Sequence, residues 1–394
     1  MMKLRPLAAL FLALPASAAQ QPAAPPRSLT DVLTWTPSER EARLRAMDTL
    51  YFTHLVARGK RVHPLPTGAT LAAFQPGGAS AALLHEYMAE TRVAGIIVLQ
   101  HGRIRLERYG LGYSPSGRWT SFSVAKSLTS TLVGAAVKDG YIKSLDEPVT
   151  TYITGLAGSA YDGVTIRQLL TMTSGVRWNE DYADPNSDIS HLYSATPDSG
   201  VDANVSFMRK LPREAKPGTK WVYKTPETNL IGVLVMQATH KGLAEYLSEK
   251  IWKPYGMELD AAWIVDQVGH EQGGCCLSVS LRDFARIGQF ILDGAKTNGM
   301  PIVPDGWLAA ATHKQADIGS PGAGYGYQWW TSDDGTFDAY GIYGQNIHID
   351  PARQLVIVIN SAWPVATGRA QSTARRAFVR AVQSAVDAEG GRAK

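Results

Sequence analysis

Phe122-Ser123-Val124-Ala125-Lys126-Ser127 opens an apolar helical stretch at 123–139 that stops at Gly140. Ser123 is the only serine in the chain with a lysine three residues on. Residues at i and i+3 share one face of a helix's first turn. At that end the free backbone N–H groups and the positive end of the dipole favour an oxyanion and disfavour an ammonium. A seryl hydroxyl needs an adjacent base to act as a nucleophile. Lys126 can be that base if its pKa falls about three units from roughly 10.4, a cost of about 4 kcal/mol that burial and a neighbouring cation can supply. The plainer alternative is a helix-capping serine beside a surface lysine, so the rest of the chain has to decide.

Outward from this stretch, residues 93–99 and 104–109, separated by His101-Gly102, read as two strands joined by a tight turn. Residues 325–331, 340–350 and 355–360 read as three more. Between the two groups the pattern is mostly helical to about residue 262, interrupted by a polar loop at 178–199. Thr36-Pro37-Ser38-Glu39 has the form of a capping box and opens a helix expected to reach about Phe52. Residues 79–91 form an amphipathic helix, Ser280 caps another that runs to Leu292, and the helix at 369–387 carries Ala374, Phe378, Val382 and Val386 on one face. The pattern predicts an α+β fold: an antiparallel sheet built from distant halves of the chain, flanked by the terminal helices, with a helical block beside it. The expected organisation is an α/β lobe from 28–122 plus 277–394 and a helical lobe from 123–276. A cleft should lie at their seam.

Two further segments carry chemistry. Gly218-Thr219-Lys220-Trp221-Val222-Tyr223-Lys224-Thr225 puts Tyr223 at a loop–helix junction. Gly341-Ile342-Tyr343-Gly344-Gln345-Asn346 lies on a late strand, where Gly344 would let backbone approach a ligand closely. With the Ser123/Lys126 pair, these segments resemble the serine hydrolases of the β-lactamase and penicillin-binding family, which use S-x-x-K, Tyr-x-Asn and Lys-Thr-Gly. Within that family, five strings look closest to the 6-aminohexanoate-dimer hydrolases and related carboxylesterases. They are Asp181-Tyr182-Ala183-Asp184-Pro185, Gly273-Gly274-Cys275-Cys276, Arg282-Asp283-Phe284-Ala285-Arg286, Gln328-Trp329-Trp330 and Gly344-Gln345-Asn346.

The resemblance implies a β-lactamase/DD-peptidase-like fold. It also implies hydrolysis of an amide or ester of a small linear substrate through an acyl-enzyme, with no cofactor and no metal. Ser123 would be the nucleophile, Lys126 its base and Tyr223 a proton shuttle. The backbone N–H groups of Ser123 and Gln345 would form the oxyanion hole. Tyr182, Trp330, Gln272, Tyr343 and Gly344 would line the substrate pocket. Two departures stand out. Ile342-Tyr343-Gly344 replaces Lys-Thr-Gly, whose lysine binds the carboxylate of a β-lactam or peptide, and its loss argues against an efficient β-lactamase or DD-peptidase. Those activities, and a non-catalytic penicillin-binding-like protein, are the alternatives. Tyr223-Lys224-Thr225 replaces Tyr-x-Asn, so Thr225 must do something other than an Asn amide would. Asp181, Asp184 and Asp188 form either a solvated acidic loop or a preference for a cationic amine on the substrate.

The 394 residues hold 39 Lys+Arg against 35 Asp+Glu, and without the leader cations Lys3 and Arg5 the net charge of +4 falls to +2. With no basic stripe, a nucleic-acid partner is not expected. The nine histidines show no ligand spacing, and His348 reads as a hydrogen-bonded strand residue. No G-x-S-x-G elbow occurs, which sets aside the α/β-hydrolase mechanism. Cys275 and Cys276 are the only cysteines and read as buried thiols rather than a vicinal disulfide. Lys3 and Arg5, an apolar run at 7–14 and Ala16-Ser17-Ala18 read as a signal peptide over 1–19, followed by a Pro/Ala/Gln linker at 20–27. The apolar run is far short of the roughly 20 residues that cross a bilayer. The expectation is a periplasmic or secreted enzyme without a membrane anchor, acting on a small molecule, its oligomeric state open.

Overall fold

The computed structural model describes Leu29 and residues 31–390, so the expected leader and linker lie outside the described residues. Seven strands make one antiparallel sheet: β1 (Val93–Gln100), β2 (Arg103–Tyr109), β3 (Ala323–Tyr325), β4 (Trp330–Ser332), β5 (Phe337–Gly341), β6 (Gln345–Asp350) and β7 (Leu355–Ser361). Their spatial order is β2-β1-β7-β6-β5-β4-β3. The early and late halves meet where β1 pairs with β7, Ile97 opposite Val358 and Ile96 opposite Ile359.

The paired strands β1 and β7 are apolar at nearly every position because both faces are covered. Ile96, Val98, Ile357 and Ile359 pack against Leu84 and Tyr87 of α2 (Ala81–Glu90) and Phe378, Val382 and Val386 of α6 (Arg369–Ala388). On the other face Ile97, Leu99, Val356 and Val358 share a core with Phe284, Ile287 and Phe290 of α5 (Leu281–Leu292). A Cβ at Gly288 would stand 2.4 Å from Val356 Cγ1, so this position sets how closely α5 can lie on the sheet. Ser280 caps α5 by accepting from Asp283 N.

The expected capping box is present in α1 (Pro37–Arg43), where Thr36 N donates to Glu39 Oε2 at 2.9 Å. The helix does not continue to residue 52. The Leu44 carbonyl accepts from Thr120 N at 3.2 Å, which commits it outside the helix, and Met47–Leu50 forms a separate turn. Accordingly α2, not α1, joins the C-terminal helix on the sheet.

Three expected late strands resolve into five. The stretch 325–331 breaks at Gln328 (φ 63°), and 340–350 reverses through Tyr343 (φ 59°) and Gly344 (φ 95°). Two successive left-handed residues turn the chain back on itself. Gly344 is obligatory there because a Cβ would also stand 2.4 Å from the Trp363 indole.

Beside this sheet, α3 (Ala125–Lys138) is buried over twelve of its residues and packs against α4 (Thr225–Thr239). On another side of α3, Gly134 lets the Trp307 ring lie close, where a Cβ would meet it at 2.7 Å. Ser127 and Ser130 donate to the carbonyls of Gln328 and Tyr327, tying α3 to the β3–β4 connection. A small sheet of Thr53–Val56, Ala261–Ile264, Leu277–Val279 and Trp119–Thr120 leads directly into the turn that carries Ser123. Among the described residues no helix is long and apolar enough to cross a membrane.

Candidate active site

Ser123 sits in a tight turn, Phe122–Val124, at the entrance to α3. Phe122 holds φ 43°, so the chain bends sharply just before it. The bend is anchored on the small sheet: Ser121 N donates to Leu277 O at 2.8 Å and Leu277 N to Ser121 Oγ at 2.9 Å. As the first turn of a helix, this segment has backbone N–H groups without intrahelical acceptors.

Lys126 is 1% exposed, and its Nζ lies 3.0 Å from Ser123 Oγ, 3.1 Å from Thr225 Oγ1 and 2.6 Å from Gly274 O. Burial pulls its pKa down to about 7, against an opposing pull from Glu180. A neutral amine has two N–H donors and one lone pair. The donors match Gly274 O and Thr225 Oγ1, which leaves the lone pair for the Ser123 hydroxyl proton. Thr225 can accept because its own hydroxyl donates to Glu180 Oε1. Gly274 is fixed in turn, its N–H donating to Asn229 Oδ1 at 2.7 Å.

Tyr223 completes the cluster. Lys126 Nζ is 5.2 Å from its ring centroid, and the ring stacks on Trp330 at 5.5 Å. Burial and then the charge of Glu180 push the phenol up, and its hydrogen bond to Ser123 only partly offsets them, so it stays protonated in the working pH range. Tyr182 donates to Glu180 Oε1 at 2.6 Å and lies 3.4 Å from Thr225 Oγ1.

The structure thus brings Ser123, Lys126, Tyr223, Tyr182 and Trp330 to one place. Ser123, Tyr182, Tyr223 and Trp330 line a cleft of about 440 Å³. Gln345 begins β6 directly behind the bend. A Cβ at Gly341, its partner on β5, would stand 2.6 Å from Ser121 O and 3.1 Å from Phe122 Cβ. The Gln345 side chain is locked by Trp119 Nε1, Ser361 N and Ser361 O, so only its backbone is left to face the bend.

Other expectations need correcting. Gln272 lines a neighbouring cavity of about 100 Å³ with Tyr51, Phe52 and Asn204, because its N–H is paired with Ile264 O at the edge of the small sheet. Tyr343 is turned into the core by its left-handed backbone; its hydroxyl donates to Val32 O at 3.2 Å and Arg40 lies over its ring at 4.1 Å. Gly344 faces Trp363, and Gly341 and Ile342 line the cleft instead. Cys275 and Cys276 are joined as a vicinal disulfide rather than left as thiols, and both line a small apolar cavity that also reaches Ser123. In the acidic loop Asp188 accepts from Asn179 N, Asp184 from Asn186 N and Asp181 from Ala183 N, and of the three only Asp181 lines the cleft.

Glu180 is the residue that sequence reasoning missed. It accepts from Thr225 N at 3.0 Å, from the Thr225 and Tyr182 hydroxyls and from Trp178 Nε1. It therefore stands two hydrogen bonds from Lys126, through the Thr225 hydroxyl, and its charge holds that amine closer to its charged form. Glu180→Gln removes the opposing charge, so the acid limb of kcat/KM is expected to move to lower pH. A pH–rate profile of the variant checks this, and an unmoved limb would show that Glu180 does not govern Lys126.

Residues 81–381 match the Beta-lactamase family. A 6-aminohexanoate-dimer hydrolase from Paenarthrobacter ureafaciens is 33% identical over 297 residues, 71% of this chain and 75% of the relative. A solved Bacillus anthracis protein assigned as a 6-aminohexanoate-dimer hydrolase superposes with a TM-score of 0.77 at 24% identity, covering 89% of this chain and 94% of that one. A family VIII carboxylesterase superposes with a TM-score of 0.59 at 15% identity over 78% of this chain and 97% of that one. The chain belongs to the β-lactamase family, and it is a serine hydrolase.

Proposed function

We propose that this hydrolase cleaves an amide or ester bond of a small linear substrate through an acyl-enzyme on Ser123. The observation that carries the reading is the buried Lys126 amine 3.0 Å from Ser123 Oγ. Ser123 Oγ attacks the carbonyl carbon as its proton passes to Lys126 Nζ. The N–H groups of Ser123 and Gln345 hold the oxyanion, a role in which losing one donor typically costs about 2.7–4 kcal/mol. Tyr223, kept protonated, gives its proton to the departing nitrogen or oxygen and recovers one from Lys126. Water then attacks the acyl carbonyl, losing its proton to the same pair, and Ser123 Oγ is released.

Similarity to the Paenarthrobacter enzyme favours short linear amides, and Ile342 in place of the β-lactam-binding lysine disfavours β-lactams. The test is labelling by a fluorophosphonate followed by intact mass and peptide mapping. The adduct is expected on Ser123; an unlabelled Ser123 in folded protein overturns the reading. The leader-like pattern of residues 1–19 supports a periplasmic or secreted location for this activity. Amino-terminal sequencing of the mature protein checks that point, and an intact Met1 contradicts it.

A further inference from the structure

We propose that Arg375 selects substrates that carry a carboxylate several bonds from the scissile carbonyl. This rests on the reading of Ser123 as the nucleophile. Arg375 comes from the second turn of α6 and lines the same cleft as Ser123, yet it is only 8% exposed. Its guanidinium carbon lies 4.1 Å from the Tyr340 ring centroid and 5.1 Å from that of Trp363. Among the described residues it makes no ion pair and no hydrogen bond.

Two other buried arginines show how unusual that is. Arg40 donates to the carbonyls of Trp35, Trp363 and Pro364, and Arg286 pairs with Asp283 and Glu258. Asp338 feels the charge of Arg375 but makes no ion pair with it; its Oδ1 accepts from His348 Nδ1 at 3.1 Å and Asn346 Nδ2 at 2.9 Å. A buried cation without a partner is costly. Stacking on aromatic faces offsets only about 0.5–2 kcal/mol of that cost. The guanidinium keeps its forked N–H donors available to an acceptor arriving in the cleft.

From Tyr223, beside Ser123, the wall continues to Trp330 at 5.5 Å, to Tyr340 at a further 6.0 Å and then to Arg375. That is the reach of a short flexible chain, not of a carboxylate attached directly to the reacting carbonyl. Ser372, one turn before Arg375 on the same wall, offers a hydroxyl to the same group. The charge lost with the missing Lys-Thr-Gly lysine is thereby supplied from a different element of the cleft.

Two matched pairs of aryl esters test this. One carries a carboxylate or its methyl ester at the end of the acyl chain; the other carries a carboxylate or its primary amide at the end of the leaving group. For at least one pair the anion is expected to be preferred by about tenfold or more in kcat/KM, as a charged hydrogen bond implies, chiefly through KM. In Arg375→Gln that ratio falls to near one, and Arg375→Lys keeps part of it. The ratio is read within each protein, so a reduced fraction of folded enzyme cancels. A ratio near one in the wild type, or one unchanged in Arg375→Gln, overturns the proposal. Should Arg375→Gln not fold, calorimetric binding of hexanoate against hexanamide by Ser123→Ala decides: equal affinities overturn it. Failure of the underlying reading looks different, because no ester would be turned over and Ser123 would remain unlabelled.

Discussion

Lys126→Met is expected to lose esterase turnover by about 10⁴-fold or more, the scale seen when a base is removed from a nucleophile–base unit. The variant should nevertheless stay folded, and its melting temperature should rise. In the native protein the amine is held near pKa 7 against 10.5 for the free side chain. The sign follows from proton counting. Between these values the unfolded chain binds more protons than the folded one, so stability increases with pH across that window, and at neutral pH the buried lysine costs about 4–5 kcal/mol. Methionine removes that cost but leaves Gly274 O without its donor, a loss of about 1–3 kcal/mol. The net expectation is a gain on the order of 1–3 kcal/mol, read by thermal or urea denaturation together with the rate assay. Ser123→Ala should match the activity loss without the gain in stability. A Lys126→Met enzyme that still turns over at a tenth of the wild-type rate would falsify the assignment of the base.

The second large effect is on pH. Only neutral Lys126 can accept the Ser123 proton, so kcat/KM should rise with pH to a plateau just above about 7. Below that it should fall about tenfold per unit, and roughly 100-fold by pH 5. Tyr223 adds no descending limb below pH 10, because burial and Glu180 hold its phenol protonated. A profile flat from pH 5 to 8 would mean that the amine is not the proton acceptor.

Much of this was legible in the sequence where one local rule sufficed. Ser123 and Lys126 are fixed by a single helical turn, Tyr223 by a loop–helix junction, and α5 by its Ser280 cap and apolar face. The paired early strands were visible because their periodicity and turn agree. What was not legible depends on which way a side chain points after an irregular backbone. Tyr343 and Gly344 read as strand, yet their left-handed geometry reverses the chain and turns the phenol into the core. Gln272 follows no repeating element, so nothing local told its cavity from the cleft. Glu180 is one acid among several in a polar loop, and its importance exists only once Thr225, Tyr182 and Trp178 converge on it. Arg375 lies beside the apolar stripe Ala374–Phe378–Val382 and reads as an ordinary surface cation until Tyr340 and Trp363 close over it.

The contacts between the amino-terminal segment and the Tyr343 reversal limit how far the chain can be trimmed. Val32 accepts from the Tyr343 hydroxyl, and Arg40 bridges Trp35 to Trp363 and Pro364. A protease that clips ahead of Leu29 leaves this clasp whole. One that cuts beyond Arg40 frees the hairpin that presents Gln345, so the enzyme should lose its catalytic alignment long before its sheet comes apart.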